Sequence, residues 1–245
     1  MKRVYTTPNG IAYDLYLDML KQAHLLVAGK TGSGKSVVIN GLIYTGLLSS
    51  PATNQFVLID PKKVNLKKFK DLPHTIVHAI TKAQIIKALE DSVRLMDNRF
   101  SYMYKHDLED YNGSNVYVCI DELMDLMTTY GKHTRELIQY LAQVGRAAKV
   151  HVIAATQSPV REIIPTSIKC NFDSRIGLRT RSAQDSRNIL GLPGCELLPE
   201  YGQGYYMTPR QMTLYNIPMI EPNEMKRIID YWKKHNKPKL ILFAR

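Results

Sequence analysis

Gly29-Lys30-Thr31-Gly32-Ser33-Gly34-Lys35-Ser36 is the stretch on which the reading of this chain turns. It fits G-x-x-x-x-G-K-[ST], the phosphate-binding loop. Three glycines let the backbone curl so that successive N–H groups point inward and form an anion nest. A helix that follows adds its positive N-terminal end. Lys35 is placed to reach the β- and γ-phosphates, and the Ser36 hydroxyl to ligate Mg²⁺. We take Gly29 through Ser36, with Val37 on the first helical turn, as the nucleotide-binding set. Context supports the motif on both sides. His24-Leu25-Leu26-Val27-Ala28 has strand character, and Val37, Val38, Leu42 and Ile43 recur at helical spacing. Strand, glycine loop and helix together imply a nucleoside triphosphate, with ATP and Mg²⁺ as the expected ligands.

Outward from the loop, Gln55-Phe56-Val57-Leu58-Ile59-Asp60 reads as a buried strand, followed by Asp60-Pro61-Lys62-Lys63 at its carboxyl end. That is where α/β proteins place ligand-contacting residues. Thr75 to Ala79 is a third strand candidate, and residues 82 to 104 carry apolar positions at near-helical spacing. Val116-Tyr117-Val118-Cys119-Ile120 then runs into Asp121-Glu122. Asp121, at the strand end, suits the Mg²⁺ shell, and Glu122 suits a general base for the attacking water. The alternative is a pair of acids favoured by a helix start. Val150-His151-Val152-Ile153-Ala154-Ala155-Thr156-Gln157 is another buried strand, and Gln157 is a candidate γ-phosphate sensor because its amide both donates and accepts. Ser174 to Arg179 reads as a strand, followed by a guanidinium cluster of Arg179, Arg181 and Arg187. Those arginines serve either a phosphate backbone or a solvated basic face.

Residues 203 to 216 look like a terminal hairpin, Glu221 to His235 a closing helix, and Leu240 to Phe243 a last strand or docking tail. Alternating strands and helices imply an α/β fold: a RecA-like P-loop NTPase core, with a mostly parallel sheet and helices on both faces. We expect three segments. Residues 1–20 form a lead-in strand or short helix, 21–220 the ATPase core, and 221–245 the C-terminal helix and basic tail.

The 33 basic against 22 acidic residues give a formal charge of +11. Such an excess favours a polyanion, with nucleic acid first and an anionic membrane surface second, beside the simpler option of a basic enzyme. No apolar run approaches the ~18 residues of a membrane span. Cys119, Cys170 and Cys195 are too far apart for a zinc or disulfide framework and read as reduced thiols of a cytoplasmic protein.

Taken in order, the landmarks form a family pattern: Leu25 to Ser36, Ile59-Asp60-Pro61-Lys62, Leu72-Pro73-His74 and Asp121 to Met127. Gly145-Arg146-Ala147-Ala148-Lys149-Val150-His151, Ala155-Thr156-Gln157-Ser158-Pro159 and Asp185 to Leu190 complete it. Together they resemble the motor domain of the FtsK/SpoIIIE family, within the FtsK–HerA group of DNA pumps. The resemblance implies a homo-oligomeric, hexameric ring that hydrolyses ATP between subunits and threads double-stranded DNA through its pore. It carries over Lys35 and Ser36 as nucleotide and metal contacts, Asp121 and Glu122 as metal-side acid and base, and Gln157 as sensor. Arg146 falls at the family's trans-acting arginine finger; by position alone it is equally a helix-end arginine satisfying carbonyls.

The family's DNA-contacting loops follow Thr-Gln and precede Asp-Ser-Arg. Here the first has Ser158 where arginine is common and the second has Ala183 where lysine is common, so Arg161, Arg179, Arg181 and Arg187 stand as compensating DNA contacts. The chain also lacks the family's membrane spans, long linker and winged-helix module. We therefore expect a stripped motor, similar to versions carried by plasmids, conjugative elements or phages. A relaxase, capsid portal or replication protein is then an expected partner. The alternatives left open are a protein-handling ATPase of the type VII secretion kind and a scaffold that uses ATP only to assemble.

Overall fold

Side-chain alternation along four strands sorts the core into two apolar layers, one on each face of a single sheet. The computed structural model describes residues 14–157 and 166–235. The strands are β1 (Leu25–Ala28), β2 (Asn54–Ile59), β3 (Thr75–Ala79), β4 (Asn115–Ile120), β5 (Val150–Thr156), β6 (Ser174–Gly177), β7 (Gln203–Met207) and β8 (Met212–Asn216). The helices are α1 (Asp14–Leu20), α2 (Lys35–Leu47), α3 (Lys82–Lys105), α4 (Leu123–Thr129), α5 (Lys132–Val144), α6 (Thr166–Lys169), α7 (Ala183–Leu190) and α8 (Pro222–Lys234). Strand order is β3-β2-β4-β5-β1-β6-β7-β8. The first six run parallel, and the β7–β8 hairpin adds two antiparallel strands at one edge.

Successive strand residues point to opposite faces. Leu25, Val27, Phe56, Leu58, Tyr117, Cys119, Ile153 and Ala155 therefore face α1, α2 and α8. Leu26, Val57, Ile59, Val118, Ile120, Val152 and Ala154 face α3, α4 and α5. Strands covered on both sides read as continuous apolar runs, which is why β1, β2, β4 and β5 are plain in the sequence. The lead-in segment is helical where described. Its Tyr16 ring lies so close to α2 that a Cβ on Gly41 would sit 2.3 Å from it. The closing helix α8 is pinned to the end of α2 by the Trp232 indole N–H, which donates to the Leu47 carbonyl at 2.8 Å. Residues 240–243, read as a last strand or tail, lie outside the described residues.

Local signals set the boundaries. Thr81 and Gln84 form a reciprocal capping box that starts α3. Ser182 caps α7 by accepting from the Asp185 N–H, and Gly191, at φ 81°, ends it. Because β1 lies between β5 and β6, chain connections diverge on either side of it, and the carboxyl ends of β1, β2, β4 and β5 open on one edge.

Two imidazoles tie β1 to β5 at the other edge. His24 Nδ1 accepts the Val152 N–H at 3.0 Å, so that nitrogen carries no proton. His151 Nδ1 lies 2.9 Å from the Ala23 carbonyl. Burial, then the neighbouring His151, pushes His24 down to about 3. Burial lowers His151 to about 4. Unfolded imidazoles titrate near ~6.5, so below that pH the unfolded chain binds more protons and stability falls. We expect the urea midpoint to hold steady above neutrality and to drop as pH falls from about 6.5 toward 4. The slope should approach ~1.4 kcal/mol per pH unit for each histidine. A midpoint unchanged between neutrality and mild acid would contradict the neutral pair.

Candidate nucleotide site

The loop between β1 and α2 is held in shape by backbone bonds to its neighbours. Gly29 N donates to the Thr156 carbonyl at 3.3 Å and Lys30 N to the Arg179 carbonyl at 2.8 Å, so the ends of β5 and β6 fix its base. Gly29 admits no side chain, since a Cβ there would meet Ser33 Oγ at 2.5 Å and the Leu178 Cβ at 2.8 Å. Gly34 adopts φ 102° at the head of α2, a conformation that favours glycine. No side chain caps that helix, and its first turn holds no acid. Its leading N–H groups thus face the cavity, which is what an anion requires.

That cavity, of about 340 Å³, is lined by the loop and the first turn of α2 on one side and by Asp121, Glu122 and Gln157 on the other. Lys62 and Asn65, from the turn after β2, complete it. Lys35 Nζ donates to the carbonyls of Gly29 at 2.7 Å and Lys30 at 2.9 Å. Burial lowers its pKa to about 8; Glu122 opposes that shift and the charges of Lys62 and Arg181 add to it. Asn65 Nδ2 donates to both Asp121 oxygens, at 3.0 and 2.9 Å. Burial nonetheless pushes the Asp121 carboxyl up, with the Asp60 charge contributing. A buried carboxylate short of positive partners, in one cavity with the Ser36 hydroxyl, fits a hard divalent cation.

Glu122 is buried, and both its oxygens are engaged. Oε1 accepts the Gln157 N–H at 3.1 Å, and Oε2 lies 3.2 Å from Lys62 Nζ. The Gln157 side chain is held in turn by the Thr31 hydroxyl, which donates to its Oε1 at 2.8 Å. Lys30 pairs with Glu200 at 2.6 Å, closing the rim.

The structure thus brings Lys35, Ser36, Val37, Asp121, Glu122 and Gln157 to one cavity. It places Arg146 elsewhere, exposed in the turn between α5 and β5. There Arg146 lines a second cavity, of about 1120 Å³, together with Lys149 and His151. β5 separates the two places, a span of ~20 Å at ~3.3 Å per residue. Arg179 and Arg181 lie near the phosphate loop. The Arg179 carbonyl holds Lys30 and its guanidinium donates to the Leu198 carbonyl; the Arg181 charge is felt at Lys35. Arg187 is exposed on α7. Arg161 lies outside the described residues. The sequence reading passed over Asn65. Its only signal is a side-chain donor a few residues past the carboxyl end of a strand, beside the position already marked by Asp60 to Lys63.

A model of the FtsK/SpoIIIE family matches residues 4–117. The DNA translocase FtsK of Rickettsia bellii (strain RML369-C) is 34% identical over 272 aligned positions, covering 93% of this chain and 36% of that protein. The chain belongs to the FtsK/SpoIIIE family. The DNA translocase FtsK of Helicobacter pylori (strain J99 / ATCC 700824) is 35% identical over 88% of this chain and 28% of its own length. This family member therefore spans about a third of the curated relatives it matches. Among solved structures, the pCW3 conjugation coupling protein TcpA, a monomer with ATPγS, superposes with a TM-score of 0.77 at 21% identity. That match covers 93% of this chain and 69% of TcpA. The cytoplasmic domain of the Thermomonospora curvata type VII secretion ATPase EccC gives 0.77 at 22% identity, over 92% of this chain and 29% of EccC. Both likenesses establish the RecA-like P-loop ATPase fold. No helix among the described residues is long and apolar enough to cross a membrane.

Proposed function

We propose that this chain is a Mg²⁺-dependent ATPase that moves double-stranded DNA without reading its sequence. The observation that carries the reading is the meeting of the phosphate loop, Asp121, Glu122 and Gln157 in one cavity. Its sequence relatives above 30% identity bear the name DNA translocase. When bound, ATP supplies the scissile phosphoanhydride and Mg²⁺ neutralises its charge. Lys35 and the N–H groups of the loop hold the phosphates, and Ser36 and Asp121 hold the metal. Glu122 takes the proton of the attacking water at a carboxylate oxygen, and Gln157 orients that water. Arg146 lies too far from this cavity to serve it and acts on that of a second copy, in a closed ring that we take to be hexameric. We place the protein in the cytoplasm and read it as the motor of a plasmid, conjugative element or phage. A relaxase, capsid portal or replication protein would then deliver the DNA.

ATP turnover measured with and without plasmid DNA tests this reading. Stimulation by duplex supports it. Turnover indifferent to DNA would favour the protein-handling role suggested by the likeness to EccC. No turnover at all would leave an assembly scaffold.

The +11 charge and the exposed arginines predict binding through the phosphate backbone. Each phosphate neutralised contributes ~0.9 to the negative slope of log K against log salt. Duplex affinity measured from 50 to 200 mM salt should therefore fall by orders of magnitude if several phosphates are held. A flat salt series would remove the DNA-tracking role.

A further inference from the structure

The turn from Asp60 to Leu66 is built to reach the acid pair. Buried Asp60 anchors it: Oδ2 accepts the Leu66 N–H at 3.0 Å, and the Asp60 carbonyl accepts the Lys63 N–H at 3.0 Å. Lys63 bends the turn at φ 63°. From this frame two side chains diverge, one to each acid. Asn65 takes both oxygens of Asp121, and Lys62 Nζ lies 3.2 Å from Glu122 Oε2 and 3.9 Å from Asp125 Oδ2. The Lys62 side chain is 41% exposed whereas that of Glu122 is 4% exposed, so the acid is fixed and the ammonium, on a four-carbon stem, is the partner able to move. Lys62 lines the same cavity as Lys35 and Ser36 and is close enough for its charge to act on Lys35. One ammonium therefore stands between two anions, the carboxylate it touches and the terminal phosphate of a triphosphate held by the loop.

We propose that Lys62 senses the γ-phosphate: its ammonium is shared between Glu122 and the terminal phosphate, so that triphosphate binding draws it from Glu122 and frees the Oε2 atom for water. This rests on the nucleotide reading above. A diphosphate offers no γ-oxygen, so the exchange discriminates ATP from ADP. It also makes Glu122 a competitor for Lys62, so each residue sets the nucleotide preference conferred by the other.

The test is a binding measurement, made by competition against a fluorescent nucleotide with ATPγS and with ADP. Lys62→Met should lower the preference for ATPγS over ADP by about tenfold to a hundredfold, the range of a lost charge-assisted bond. Lys62→Arg should hold that preference within about threefold, since the charge remains. Glu122→Gln removes the competitor and should raise the preference, and adding Lys62→Met should cancel the rise. A merely structural role would weaken both nucleotides equally. Retained ADP binding shows that Lys62→Met has folded, and the Glu122→Gln arm decides the matter if it has not. Wild-type protein that binds neither nucleotide overturns the nucleotide reading and this proposal with it. Wild-type protein that binds both, with the preference unmoved in Lys62→Met or in Glu122→Gln, overturns the proposal alone.

Discussion

Glu122→Gln is expected to reduce ATP turnover by about 10³-fold, within the ~10²–10⁴ range of a positioned general base, without weakening nucleotide binding. The substitution keeps shape and burial. A glutamine oxygen still accepts the Gln157 N–H that Glu122 Oε1 accepts at 3.1 Å, so the end of β5 stays in register with the end of β4. What is lost is a carboxylate able to take a proton, and with it the charge that holds Lys62 at 3.2 Å. A neutral amide in that place cannot act as a base at neutral pH. Phosphate release measured in steady state, beside ATPγS affinity, separates chemistry from binding. A kcat within a factor of ten of wild type would remove Glu122 as the base and return the acid pair to the role of a helix start. Asp121→Asn is the contrasting change. It leaves Glu122 in place and should show as a raised Mg²⁺ requirement.

The difference between those two acids shows how far the sequence could be read. Asp121 and Glu122 are adjacent letters, and their place after an apolar strand marks both. Nothing in that spacing says that Asn65 would hold one and Lys62 the other, because the turn from Asp60 to Leu66 joins them across β2 and β4 in space. Strand and helix identities were legible for a simple reason. In a sheet covered on both faces the strands are continuous apolar runs, and the intervening helices repeat at 3.6. The phosphate loop was legible because its chemistry is local, carried by consecutive N–H groups. The arginines were not. Arg179 and Arg181 form a basic cluster in the sequence, yet one guanidinium is bound to the Leu198 carbonyl and the other lies beside the phosphate loop. Charge in a sequence has sign but no direction; only the β6 register against β1 aims it. The latch between Thr31 and Gln157 was equally hidden, being a contact 126 residues apart.

Arg146→Ala, mixed into wild-type protein, is expected to depress turnover by more than its share of the mixture, and alone to lose about 10³–10⁵-fold, the range of an arginine finger. The geometry makes this a strong test. Arg146 is exposed at the amino end of β5, whereas the phosphate cavity lies at its carboxyl end, ~20 Å away along the strand. An arginine side chain spans only a fraction of that distance, so a direct role in the same chain's cavity is excluded. Removing an exposed guanidinium should leave folding intact, since surface substitutions usually shift stability within ~0.5 kcal/mol. Any large loss of turnover must therefore pass through a neighbouring copy. If the finger acts between subunits, one Arg146→Ala protomer silences the next protomer's cavity while keeping its own competent. Pairing it with Glu122→Gln then gives a sign that no single-chain role can mimic. Two inactive variants, each lacking what the other supplies, should recover partial activity when mixed. Loss strictly proportional to the fraction of Arg146→Ala, with no recovery in the mixed pair, would place Arg146 among the helix-end arginines that satisfy carbonyls.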